Sequence, residues 1–114
     1  MRDYLLYIRD VLDAMNLVEE FLEDIPYDAF ITDKKTISAV RDQLMIIGEG
    51  IKNIPDSIKL QYAEIPWKEI AGMRDVLTHA YFRTDLELLY TTGKISVPAL
   101  KPAFLKMYQA GSQQ

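Results

Sequence analysis

The chain is 114 residues long, 49% hydrophobic and 26% charged, the proportions of one compact globular domain and not of a disordered segment. It contains no cysteine, which excludes disulfides, thiolate zinc sites and cysteine nucleophiles, and no apolar run approaches the ~20 residues needed to span a bilayer. A formal net charge of -4 argues against a broad electrostatic clamp on nucleic acid, but it is compatible with a small site that handles one or two phosphates.

The first predicted helix carries Tyr4, Ile8, Val11, Met15, Val18, Leu22 and Ile25 at alternating spacings of four and three, one face of a helix. Pro26 ends it, and Asp24 and Asp28 flank a loop. Asp10 and Asp13 interrupt the N-terminal segment, and no cleavage pattern follows. That reads as a folded helix and not a signal peptide, which together with the lack of cysteine suggests a cytoplasmic protein. Glu19, Glu20, Glu23 and Asp24 read as a solvated face and not a metal site.

Ile37, Val40, Leu44, Ile47, Ile51, Ile54 and Ile58 keep a three-four spacing, the seam of a bundle of nearly antiparallel helices. The spacing predicts a long helix capped by Asp33 or Thr32 and running to about Asn53. Pro55 then restarts a short extra helix that reaches about Tyr62. Gly48 and Gly50 are packing glycines, since the segment is helical and lacks the lysine and hydroxyl of a phosphate loop. A third main helix is predicted from about Pro66 to about Ala80, with Trp67 as its anchor and, as a lesser alternative, a base-stacking surface.

A fourth helix opens on Asp85 or Thr84 as cap, with Gly93 as its stop. A last helix follows, with Pro98 in its first turn, and residues 111–114 read as a flexible tail. No stretch alternates with period two. The expected fold is therefore all-α, an up-and-down helical bundle with a short extra helix, forming a single domain over residues 1–110.

The chemistry-bearing stretch is "RDVLTHAY", Arg74 to Tyr81, which holds the chain's one histidine. Histidine is the natural proton carrier near neutral pH, and arginine binds phosphate oxygens in a bidentate fork. Together, without a metal cluster, Arg74 and His79 suit cleavage of a phosphodiester by the substrate's own 2′-hydroxyl, a group RNA has and DNA lacks. On one helix, however, Arg74 and His79 lie roughly 140° apart, and Tyr81 lies roughly 200° from His79. One cleft can take all three only at a helix end, or where a second chain completes it. Asp75, four before His79, shares its face and can favour the imidazolium. A structural role fits the same residues: a polar histidine at a helix end, and Arg74 paired with Asp75 or Glu69 at the surface.

"RDVLTHAY" matches the R-x4-H-x-Y signature of HepT-like proteins, a branch of the HEPN superfamily, and its context resembles that family too. "QLMIIGEGIKNIP" is similar to the family's central helix, and "EIPWKEIAGMRDVLTHAYFRTDLELLY" to its motif region; the likeness covers most of the chain. The resemblance implies a helical homodimer in which two copies of the motif face one cleft. It implies a metal-independent endoribonuclease without cofactor, acting on RNA as the toxin of a type II toxin–antitoxin pair. Its implied partner is an MntA-like nucleotidyltransferase antitoxin, which transfers AMP from ATP to the motif tyrosine. Carried onto this chain, Arg74 and His79 are the catalytic pair, Tyr81 is the AMP acceptor, and Asp75 and Thr78 are supporting residues. Where the family often has asparagine, this chain has Asp75, a carboxylate that either tunes His79 or weakens RNA binding. Some HEPN relatives bind nucleotides or serve as accessory subunits of nucleotidyltransferases without cleaving RNA. The acidic net charge and Asp75 keep that alternative open.

Overall fold

The computed structural model describes residues 3–72 and 85–113. The chain is an all-α helical bundle, and the described residues contain no strand. Helix α1 (Tyr4–Leu22) starts at Asp3, whose carboxylate accepts from the Leu5 N–H at 3.0 Å. Its predicted face is the one that packs: Ile8, Val11, Met15, Val18 and Leu22 are all buried. The helix stops three residues before Ile25. Glu23 leaves the helical conformation, and Asp24 adopts a left-handed φ of 58°, a turn that non-glycine residues rarely make.

A one-turn helix, α2 (Tyr27–Phe30), occupies the segment expected as a loop. It drives Phe30 into the core, where the ring is fully buried. Helix α3 (Lys34–Lys52) opens on Asp33, which accepts from the Thr36 hydroxyl at 2.6 Å and the Thr36 N–H at 3.0 Å. These bonds hold the Asp33 carboxyl below its ordinary pKa, because each favours the charged form. Along α3 and just past it, Val40, Leu44, Ile47, Ile51 and Ile54 are buried, as the three-four seam requires. Burying one such side chain contributes about 1.5–3 kcal/mol, so this seam and the facing stripe of α1 carry much of the core.

Gly50 shows how close the two helices come. A Cβ there would lie 2.6 Å from Val11 Cγ2 and 3.4 Å from the Tyr7 carbonyl oxygen. Helix α4 (Asp56–Gln61) is the short extra helix, restarted after Pro55. Helix α5 begins at residue 67 and is described to residue 72.

After residue 84 the structure resumes with α6 (Leu86–Thr91), capped by Asp85. Gly93 does not stop it. The chain passes through a π-helical turn (Thr92–Ser96) straight into α7 (Val97–Ser112). Gly93 has no positive φ, so it is not a left-handed helix terminator. It is buried, and a Cβ on it would sit 2.5 Å from Leu22 Cδ1 and 3.0 Å from Val18 Cγ1. Its smallness lets the rod lie against α1. The wide turn closes with the Val97 N–H on the Thr92 carbonyl, immediately before Pro98, which has no N–H to sustain an α register. Pro102 is accommodated inside α7, and α7 continues through Ser112.

Substituting Gly50→Ala tests the α1–α3 approach. Val11 is fully buried and stiff at χ1, so it cannot swing aside. In the wild-type background the change should destabilise the fold by about 1 kcal/mol, overpacking outweighing the gain in helix propensity. In a Val11→Ala background the same substitution should turn stabilising. Denaturant midpoints of the four proteins decide it, and an unchanged sign would show that Val11 is not the obstacle.

Candidate active site

Arg74, Asp75, Thr78, His79 and Tyr81 all fall within residues 73–84, outside the described residues. What the structure gives is the fixing of the two elements that adjoin them in sequence, α5 before and α6 after.

The start of α5 is pinned by Trp67. Its indole N–H donates to two backbone carbonyls at the end of α4, Lys59 at 3.2 Å and Tyr62 at 3.0 Å. The link between α4 and α5 is itself closed by backbone bonds: Ile65 N–H to the Tyr62 carbonyl at 3.1 Å, and Trp67 N–H to the Ile65 carbonyl at 2.8 Å. The indole ring meets Phe104 of α7 edge to face, with centroids 5.7 Å apart and planes at 82°. Phe104 is fully buried, so the contact ties α5 to the core. The Lys59 ammonium stands 6.0 Å from the same ring centroid, the outer limit of a cation–π contact. Trp67 is thus the anchor that its place beside Pro66 suggests.

Helix α6 is pinned by Asp85 at its start and by Tyr90 near its end. Asp85 accepts from the Leu88 N–H at 3.0 Å. The Tyr90 hydroxyl donates to the Ile25 carbonyl at 2.6 Å, in the turn after α1. Its ring packs on Tyr27 and Phe30, at centroid distances of 5.3 Å and 5.2 Å. Sequence reading marks Asp85 as a cap and takes Tyr90 as one of several scattered tyrosines, most of them half-buried core or interface; Tyr90 is half-buried, but its hydrogen bond is not foreseen. Its partner is a backbone carbonyl 65 positions away, which no local pattern announces.

A cavity of about 360 Å³ opens between α1, α3, α5 and α7. Met15, Leu44, Ile47, Ile70, Val97 and Leu100 give it a mainly hydrocarbon wall, with Glu69, Thr92 and Ser96 as its polar members. Among the described residues that line it none is cationic, so these residues by themselves offer a phosphodiester no charged partner. Among the described residues, no group of three histidine, cysteine, aspartate or glutamate side chains is placed to hold a metal ion. In the acidic stretch that ends α1, Glu19 pairs with Lys101 of α7 at 3.4 Å, a partly exposed ion pair worth about 0–1 kcal/mol. Among the described residues, no helix is long and apolar enough to cross a membrane.

Comparison with known proteins adds what these anchors leave open. The family model described as "Ribonuclease HepT-like" matches residues 11–107. The chain belongs to this family. A "Probable ribonuclease HepT" of Thermococcus cleftensis is 48% identical over 101 residues, covering 89% of this chain and 92% of that protein. A Methanocaldococcus jannaschii protein named "Putative RNase" is 40% identical over 106 residues, covering 93% of this chain and 91% of its own length. A second protein of that organism, named "Gamma-glutamylcyclotransferase and putative RNase", is 40% identical over 108 residues. This chain spans 49% of that longer protein, so the HepT-like stretch there is one part of a larger whole. No solved structure gives a significant match. The HepT-like match runs from the middle of α1 to α7 and so takes in both anchors as well as the segment between them.

Tyr90→Phe isolates the α6 anchor. It keeps the ring and removes the donor, leaving the Ile25 carbonyl short of a partner. Stability should fall by about 1 kcal/mol, with the denaturant slope unchanged. An unaltered midpoint would mean the hydroxyl contributes nothing to holding α6.

Proposed function

We propose that this protein is a metal-independent endoribonuclease, the toxin of a type II toxin–antitoxin pair, working as one HEPN-like domain in a homodimer. The observation that carries the reading is the HepT-like match over residues 11–107, which includes the "RDVLTHAY" stretch. The names of the relatives support its ribonuclease part.

In this reading Arg74 holds the non-bridging oxygens of the scissile phosphate and stabilises the charge that builds there. His79 takes the proton of the 2′-hydroxyl. The 2′-oxygen bonds to phosphorus, the bond from phosphorus to the 5′-oxygen breaks, and the departing oxygen takes up a proton. A dimer whose two motifs share one cleft supplies two His79 side chains, one to take a proton and one to give it. It also relieves the poor angular match of Arg74, His79 and Tyr81 on a single helix. Asp75 and Thr78 support this set, Asp75 by favouring the imidazolium of His79.

The same site is silenced through Tyr81. An MntA-like nucleotidyltransferase joins the tyrosine oxygen to the α-phosphorus of ATP, and pyrophosphate leaves. The resulting adenylate sets bulk and negative charge beside Arg74 and keeps RNA out.

His79→Ala should lower the rate of RNA cleavage by about 10²–10⁴-fold, with chelator present and the dimer intact by sedimentation. Equal cleavage by the two proteins would remove His79 from the mechanism. Nucleotide binding by calorimetry without any cleavage would favour a non-catalytic accessory subunit.

Intact-mass measurement tests the off-switch. After incubation with an MntA-like nucleotidyltransferase and ATP, the protein should gain the mass of an adenylate and lose its ribonuclease activity. Tyr81→Phe should gain none; a gain that persists would place the modification elsewhere.

A further inference from the structure

We propose that Trp67 is a positioning residue for ribonucleolysis: the bonds from its indole N–H to the Lys59 and Tyr62 carbonyls fix the start of α5, and with it the delivery of Arg74 and His79. The proposal rests on the reading of Arg74 and His79 given above.

The argument begins with α4. Six residues are too few for a helix to hold itself together, and its last carbonyls need partners from outside. The Tyr62 N–H serves the Lys59 carbonyl, and the Ile65 N–H serves the Tyr62 carbonyl. Each oxygen has a second lone pair, and the indole N–H is shared between the two. One side chain thereby completes the end of α4 and fixes the first residue of α5.

Packing alone would not achieve this. An aromatic ring against Phe104 can rotate or slide in its plane at small cost, because dispersion is not directional. A donor aimed at two carbonyls cannot. Trp67 therefore holds α5 in two ways: its ring sets the distance to α7, and its N–H sets the rotation and the axial position. Ile70, buried three residues on, secures the same face of the helix. Arg74 follows Trp67 by seven residues and His79 by twelve. In this proposal the error at the clasp reaches both through the intervening chain, and misplacing a catalytic group by about 1 Å can cost on the order of 10²-fold in rate.

Trp67 is the chain's single tryptophan, so replacing all tryptophan with benzothienylalanine alters this position alone. That residue keeps the bicyclic shape and exchanges the N–H for sulfur. Trp67→Phe is the companion variant, preserving an aromatic ring without the donor. Both full-length proteins are assayed with a labelled RNA of mixed sequence, and amide exchange is followed at residues 68–72.

The expected result is a kcat at least about tenfold lower with KM within about twofold, since loss of alignment acts on the transition state more than on binding. Exchange at 68–72 should quicken while α1 and α3 keep their rates. The positioning role is overturned by an unchanged kcat, by unchanged exchange, or by a loss of kcat that matches the unfolded fraction seen by circular dichroism. Absence of wild-type cleavage, or full cleavage by His79→Ala, would instead sink the reading of Arg74 and His79 and the positioning role with it. In that event the exchange rates still decide whether the clasp holds α5.

Discussion

The bundle is organised by the contact in which Val11 occupies the space where Gly50 has no side chain. This contact brings α1 and α3 together along the facing stripes of both helices, and α2, α6 and α7 pack against that pair. α7 lies along α1, and the π-helical turn before it comes close to α1 where Gly93 has no side chain. Phe30 fills the end where α2 turns back toward α3. Without close packing of the first pair, the later helices would have no fixed surface to lean on.

Against that frame, the segment from 73 to 84 is bracketed by two clasps of the same chemical kind. At each, an aromatic side chain donates a hydrogen bond to a backbone carbonyl in a link between helices: Trp67 to the end of α4, Tyr90 to the turn after α1. Backbone acceptors suit this purpose because their positions are set by secondary structure and not by a rotamer. Catalytic groups gain most from supports of this sort, whose own geometry is over-determined. An acidic chain that handles RNA needs such support more than a basic one does, because a net charge of -4 gives no general attraction to steer the substrate.

Much of the fold is legible in the sequence where burial is periodic. The stripes of α1 and α3 announce themselves because a helix repeats its buried face every three or four residues, and those stripes are the ones buried. Helix α2 is not legible, because one turn has no period and its only signal is a lone Phe30. Gly93 misleads because a glycine that ends a helix and a glycine that lets two helices touch look alike in sequence; only a partner such as Leu22 tells them apart. Trp67 is legible as an anchor beside Pro66, but the partners of both clasps are not, for a related reason. Their acceptors are carbonyls, which every residue has. The candidate site is legible in another way, as a block of residues that marks a family, while helical angles alone set Arg74, His79 and Tyr81 pointing apart.

The continuity of the segment from Leu86 to Ser112 has a kinetic side. Its ties to the opening of the chain span great sequence distances: 65 positions from Tyr90 to Ile25, 82 from Lys101 to Glu19. Such contacts cannot reward the chain until their later partners exist, and closing loops of that length is costly before any contact is made. The α1–α3 pair needs only the first half of the sequence. During synthesis it stands with one flank bare, exposing the apolar stripe of Val18 and Leu22 that Gly93 later covers. The segment also brings Leu89, Val97, Phe104 and Met107 to the core, so until it docks the core is incomplete and the growing chain is open to capture by other hydrophobic surfaces.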